Sequence, residues 1–276
     1  MKYIFLLSGY YIELAKDEVL SLFNFKNYEF IEKLLVIDLK NIDPKLLKDL
    51  SRRLALTKSV YRLLFECKIN ELKNVMEKYK WNNVYNGSFC LRVQNFNKNS
   101  HKKIKKFEEF SEKDLAGYVW RSVKKPKVDL EKAKTGIWLF FVRAKVYCGL
   151  LVFENEEDFE SRKSHLRPFP HPSSLHPKVA RALVNIGGIK ENEVLLDPFC
   201  GTGGILIESC LMDIKSIGYD INKMMINGCK ENLKYFKIKN YFIKNKNALK
   251  INDKFDCVVT DLPYGLNSNA LVEYDK

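Results

Sequence analysis

The sequence has no C-x-x-C pair, no H-x-x-x-H or H-E-x-x-H spacing, and too few acids for its bases. Each shortage excludes something. Its seven cysteines, at 67, 90, 148, 200, 210, 229 and 257, are scattered along 276 residues. That argues against a disulfide framework or a zinc site, and for a reducing, cytoplasmic setting. Its four histidines lack ligand spacing, so no metal is expected. No apolar run approaches the roughly 20 residues that cross a bilayer. The run YIFLLSGYYI at 3–12 is short, and Glu13, Lys16, Asp17 and Glu18 follow at once without an A-x-A cleavage site. It reads as a buried strand, and no membrane partner is expected. No internal repeat is present. With 34 acids against 47 bases the formal charge is +13. Such a field attracts polyanions, meaning nucleic acid or an anionic surface. A solvated lysine-rich exterior gives the same count without any partner.

What is present supports two or three folded units. The hydrophobic fraction is 46%, enough for proper cores. Residues 3–8 suit a strand, and Ile12, Ala15, Val19, Leu22 and Phe23 recur at helical spacing. Residues 28–39 read as extended. Asp43–Pro44 is a helix start, an N-cap followed by proline at the first helical position. Residues 60–67 read as a third strand, which makes 1–80 a small α+β unit. A second unit follows over 81–160: a strand at 89–96, a helix through Leu115, Val119 and Val123 that Ser111 caps, and a hairpin of strands at 137–142 and 145–152. It carries Lys102, Lys103, Lys105 and Lys106 in the run HKKIKK, then Lys124, Lys125 and Lys127. These seven lysines are the candidate RNA-binding residues; a solvated charged face is the competing reading. Pro168, Pro170, Pro172 and Pro177 exclude regular structure over 161–178, which reads as a stiff linker. Pro177 then opens a helix.

The sharpest pattern lies in the last hundred residues. A short apolar strand at 194–196 runs into DPFCGTGG (197–204) and the apolar helix ILIESCLM. Gly201 and Gly203 allow a tight turn and a close backbone approach to a ligand. The helix start adds unpaired N–H groups. Leu206 breaks the dinucleotide G-x-G-x-x-G. What remains is D-x-x-x-G-x-G, with Asp197 at the strand tip and Phe199 inside the turn. A second strand, SIGYDIN, ends in Asp220 at the distance expected of an acid that holds ribose hydroxyls. Ile221 beside it would pack on an adenine. A third strand near 241–244 leads to Asn247 and Ala248. A fourth, 256–260, delivers DLPYG. An exocyclic base amine is a poor nucleophile because its lone pair is delocalised into the ring. The Asp261 carboxylate and the Leu262 carbonyl can accept its two N–H bonds and draw the nitrogen toward tetrahedral geometry. Pro263 fixes the loop and Tyr264 offers a stacking face. Alone, D-x-P-Y could be a type I turn; its place after strand four is what makes it informative.

D-x-x-x-G-x-G is similar to the first motif of class I methyltransferases, whose acid lies near the positively charged methionine end of the cofactor. DLPYG resembles the [DN]-x-P-[YF] box of enzymes that methylate exocyclic base amines. Together with DLAGYVWRSVKKPKVDL, the strand pair around IWLFFV and VYCGLLV, and RPFPHPSSLHPKVARALVNI, the chain resembles the archaeal and eukaryotic THUMP-family tRNA (guanine-N2) methyltransferases acting at position ten. The resemblance is strong over about 167–265 and loose before. It implies an α/β chain: an N-terminal α+β region, ferredoxin-like (1–80) plus THUMP (81–160), that binds RNA, then the linker and a class I Rossmann-like domain over 179–276. It also implies S-adenosyl-L-methionine as cofactor, tRNA as partner and guanine N2 as acceptor, with Asn247–Ala248 at the adenine edge. Pro172 and Ser173 would border the methionine pocket. Two other functions stay open: an adenine-N6 methyltransferase on nucleic acid, and an RNA-binding subunit without activity. The second arises because the usual domain has seven strands and four are counted here. The methyltransferase domain is therefore expected to be incomplete at its C-terminus through gene truncation, with a second polypeptide completing its sheet as the alternative.

Overall fold

Strand-forming residues fill the front of the chain. The computed structural model describes residues 1–40, 42–99 and 110–262. There β1 (Lys2–Leu7), α1 (Ile12–Leu22), β2 (Tyr28–Ile31), β3 (Leu34–Asp38), α2 (Pro44–Arg53) and β4 (Thr57–Lys68) follow in order. The stretch expected to be extended over 28–39 is a hairpin instead. It turns at Glu32, whose φ of 56° places it in the left-handed region. Asp43 caps α2 as expected, its Oδ2 accepting the Leu46 N–H at 3.0 Å. Next come α3 (Leu72–Lys78), β5 (Phe89–Asn95), α4 (Glu112–Ser122), β6 (Thr135–Val142) and β7 (Lys145–Glu154). Ser111 caps α4 by accepting the Asp114 N–H at 3.0 Å.

The seven strands form one sheet in the order β2-β3-β1-β4-β7-β6-β5. β1 to β4 have the βαββαβ order and the antiparallel neighbours of a ferredoxin-like unit. β4 then pairs antiparallel with β7 from Ser59 to Lys68. The expected boundary at residue 80 thus separates elements of one continuous sheet. Two apolar clusters cover it, one around Tyr61, Phe140 and Tyr147, the other around Trp81, Phe89 and Leu139.

Packing divides the chain into two units. The first holds residues 1–9, 25–51 and 57–155; the second holds 10–24, 52–56 and 156 onward. So α1, read from sequence as part of the front domain, belongs to the back one. In that unit Glu18, fully buried, accepts the backbone N–H groups of Ala55 (2.8 Å) and Leu56 (2.9 Å) and the Asn185 side-chain amide (2.7 Å). Asn185 lies on α5 (Pro177–Ile186), so one carboxylate ties three segments.

The second unit continues with β8 (Val194–Asp197), α6 (Gly204–Cys210), β9 (Lys215–Asp220), α7 (Lys223–Tyr235), β10 (Tyr241–Asn245) and β11 (Cys257–Val258). The four strands are parallel, in the order β10-β9-β8-β11. Strand order reverses between β8 and β11. In open α/β sheets ligands bind at the carboxyl ends of the strands at such a reversal. The core under it includes Ala180, Leu195, Leu206, Cys229 and Leu233.

Candidate active site at the strand-order reversal

Residues 161–178, expected to be a stiff linker, are folded into the second unit. Proline limits them to short helical turns at 160–162 and 164–166 before α5 begins, and side chains fasten them. Asn232 on α7, fully buried, accepts the Phe169 N–H (2.9 Å) and donates to the carbonyls of Phe169 and Thr202 (3.0 Å each). The Ser164 hydroxyl donates to the His171 carbonyl and accepts its N–H. Ser174 meets Thr202 of the glycine turn, hydroxyl to hydroxyl, at 2.8 Å. Beneath lies an ion network on the fully buried Glu208 of α6: Arg162 Nε at 2.8 Å and Arg181 Nε at 2.9 Å. Both guanidiniums stand over the Phe159 ring, each 4.9 Å from its centroid, a cation–π arrangement.

The two glycines of the turn have different reasons. Gly201 has φ of 51° and open space where a Cβ would sit. That is the cradle a cofactor needs. Gly203, φ 89°, faces inward, where a Cβ would lie 2.6 Å from Cys229 Sγ. Both its positive φ and its packing against α7 require glycine there.

Asp197 is also further inside than the sequence implied. It is 2% exposed, and its Oδ1 accepts the Phe199 N–H at 3.2 Å and the Thr260 hydroxyl at 2.7 Å. Burial pushes its carboxyl up to about 7, against the pull of those two donors; the charges of Asp220 and Asp261 add to the rise. Asp197 and Asp220 both bond to the glycine turn, through the Phe199 and Gly201 N–H groups, and Asp261 directly follows Thr260, which is bonded to Asp197, so acids from the ends of β8 and β9 and from just beyond β11 converge there. Asp220 Oδ2 accepts the Gly201 N–H at 3.0 Å and Oδ1 the Asn222 N–H at 2.8 Å. Each oxygen keeps a free lone pair for a hydroxyl donor. Ile221 is 70% exposed, held by Asn245, whose amide donates to the Asp220 and Ile221 carbonyls at 2.8 and 2.7 Å. Phe199 is exposed at the turn. Asn247 spends its Oδ1 locally on the Leu249 N–H (2.9 Å), as the cap of a short helical turn begun by Ala248. Past β11, Asp261 is half-buried with its carboxyl raised by desolvation. Leu262 is exposed. Pro263 and Tyr264 lie outside the described residues.

This is the reversal-point arrangement of a class I methyltransferase, and the relatives agree. Residues 164–273 match the RMKL-like methyltransferase domain family. Over 99% of its length the chain is 30% identical to the tRNA (guanine(10)-N2)-dimethyltransferase of Methanocaldococcus jannaschii, covering 85% of that protein. The chain belongs to this family. It is also 32% identical over 82% of its length to the enzyme of the same name from Methanothermobacter thermautotrophicus, spanning 66% of that protein. TrmN from Thermus thermophilus has a similar fold, with a TM-score of 0.55 at 14% identity, over 96% of this chain and 80% of that one.

Within the family framework, sequence reasoning missed Thr260, Asn232 and Asn245. Each is a polar residue whose partner is distant in the chain; Thr260 ends the apolar run CVVT, whereas Asn232 and Asn245 stand among lysines and carry no signal in the sequence. In the first unit Lys124, Lys125 and Lys127 are exposed after the end of α4. Lys102, Lys103, Lys105 and Lys106 lie outside the described residues. A shallow cleft beside α3 and α4, also missed, is lined by Lys73, Lys113 and Arg121 and by the acid Asp114, with Phe110 and Tyr118. Arg121 stands 5.0 Å from the Tyr118 ring centroid. Among the described residues no cluster of His, Cys, Asp or Glu could hold a metal ion, and no helix is long and apolar enough to cross a membrane.

Proposed function

We propose that this protein methylates the exocyclic N2 of a guanine in tRNA, at position ten, once or twice. The observation that carries the proposal is that Asp197 and Asp220 are hydrogen-bonded to an open glycine turn at the reversal point, with Thr260, next to Asp261, bonded to Asp197. S-adenosyl-L-methionine, when bound, supplies a methyl group on a positively charged sulfur. The residues present fit it: Gly201 leaves room for it, Asp220 offers acceptors to ribose hydroxyls, Ile221 an exposed apolar face to adenine, and Asn247 a free amide at the adenine edge. Phe199 and Ala248 flank the same surface, and Asp197 adds negative charge toward the methionine end.

The acceptor amine needs its two N–H bonds held and its lone pair freed. The Asp261 carboxylate and the Leu262 carbonyl perform that task, with Tyr264 stacking on the base and Pro263 stiffening the loop. Partial desolvation of the half-buried Asp261 would strengthen its hydrogen bond to the amine. RNA is held by the first unit, a ferredoxin-like portion with a THUMP-like portion over 81–160. There Lys102, Lys103, Lys105, Lys106, Lys124, Lys125 and Lys127 contact phosphates, and the cleft between α3 and α4 adds stacking faces. Base access requires extruding the guanine from its stem. The free cysteines suit the cytoplasm, where we place the protein.

The test is mass spectrometry of nucleosides from tRNA incubated with the protein and isotopically labelled cofactor. Labelled N2-methylguanosine or N2,N2-dimethylguanosine is expected. Label in N6-methyladenosine would transfer the site to the adenine reading, and no label in any nucleoside would leave an RNA-binding protein.

A further inference from the structure

Beyond β11 the backbone ladder stops. The Val259 N–H donates to the Leu196 carbonyl at 3.0 Å, and β8 then turns away into the glycine loop. One more bond joins the two strand ends, from the Thr260 hydroxyl to Asp197 Oδ1 at 2.7 Å. The same oxygen accepts the Phe199 N–H inside the turn. A single carboxylate oxygen thus holds both the glycine turn, where the cofactor fits, and the residue immediately before Asp261. A side chain with no hydroxyl donor at position 260 would lose this bond between the two strand ends, leaving among the described residues the ladder behind it.

We infer that Thr260 is a positioning residue, whose hydroxyl sets Asp261 and the Leu262 carbonyl in register with the cofactor turn. The inference rests on the methyl-transfer reading above. Thr260 touches no reacting atom; it acts through Asp197 and through the backbone it anchors. Its loss has a second consequence. The hydrogen bond favours the charged form of Asp197, which is faced by Asp220 from β9, by Asp261 from beyond β11 and by the Cys200 thiol of the turn. Without it, Asp197 holds its proton to higher pH.

The experiment uses the full chain and three variants. Thr260→Val keeps the shape and removes the hydroxyl; Thr260→Ser keeps the hydroxyl; Asp261→Ala removes the amine-holding group. Thr260→Val is expected to lower kcat for methyl transfer by about 10–100-fold with little change in KM for tRNA, the penalty of a small misplacement of reacting groups. The acid-side fall in affinity for the demethylated cofactor, measured by calorimetry, should move to higher pH. Thr260→Ser should restore both kcat and that pH profile. Wild-type kcat in Thr260→Val, or equal losses in Val and Ser, would overturn the inference. If the Val variant does not fold, Thr260→Ala takes its place with the same expectations. Asp261→Ala separates the inference from its premise. Normal turnover there would remove the amine-holding role and Thr260's with it. Loss there beside a normal Thr260→Val would overturn the positioning role alone.

Discussion

Asp220 shows how a residue can serve the fold and the ligand together. Its two oxygens already accept N–H groups from Gly201 and Asn222, so it shapes the turn as well as serving the ribose contact proposed for it. Truncation to alanine would mix the two effects. Asp220→Asn discards the charge and keeps an oxygen acceptor for one of the two backbone N–H groups, so it perturbs the turn less than alanine does. It is expected to weaken cofactor binding by roughly 1.5–3 kcal/mol, the range for a hydrogen bond to a charged group. Titration calorimetry checks this, and unchanged affinity would remove Asp220 from the cofactor site. Asn247 is a related case. The residue type at the strand end was readable from sequence, but the use of its oxygen as a local cap was not.

At the scale of elements, the docking of 161–178 on α7 gives a prediction whose sign is diagnostic. Gly228 lies inside α7, where alanine would ordinarily add about 0.5–1 kcal/mol of stability. A Cβ there would lie 2.3 Å from the Phe169 ring. Gly228→Ala should therefore lose about 1–3 kcal/mol, as overpacked sites do, and weaken cofactor binding through the shifted strap. A raised urea midpoint would show that Phe169 does not sit there. The tie among α1, residues 55–56 and α5 gives a pH dependence. Burial raises the Glu18 carboxyl from 4.5 to about 7, against the pull of its three donors. The folded state keeps this proton longer than the unfolded chain does. The associated stability is complete below about 4.5 and is lost as pH rises through about 7. Asp197, also raised to about 7, adds a slope of the same sign. Urea unfolding across this range should show falling stability, with a flatter curve for Glu18→Gln. An unchanged slope in that variant would mean that Glu18 carries the same charge folded and unfolded.

For the whole molecule, the excess of positive charge, +13, is a statement about binding and about salt. If the lysines of the first unit contact phosphates, tRNA affinity falls steeply as salt rises. Replacing Lys124, Lys125 and Lys127 together with Gln should make the plot of log affinity against log salt shallower, by about 0.7–0.9 for each phosphate no longer neutralised. Methyl transfer at saturating tRNA should persist, because the reacting groups are in the second unit. A slope identical to that of the wild type would leave these lysines as a solvated face. Filter binding across a salt series makes the measurement.

The sequence by itself determined the local elements and the methyltransferase motifs. The glycine turn, Asp197, Asp220 and Asp261 could be placed at strand ends because turn geometry and strand periodicity are short-range, and the amine-holding roles proposed for Asp261 and Leu262 rest on residue type. The capped starts of α2 and α4 were legible for the same reason, since the cap and its N–H are three residues apart. Only the tertiary structure decided which pieces belong together. It moved α1 into the catalytic unit, joined the two front units into one sheet, and turned a proline-rich linker into a docked strap. It also gave Gly203 a packing role and found Thr260 on Asp197, 63 residues away. In each case the deciding interaction joins groups far apart in the chain, and periodicity carries no record of a partner at that distance.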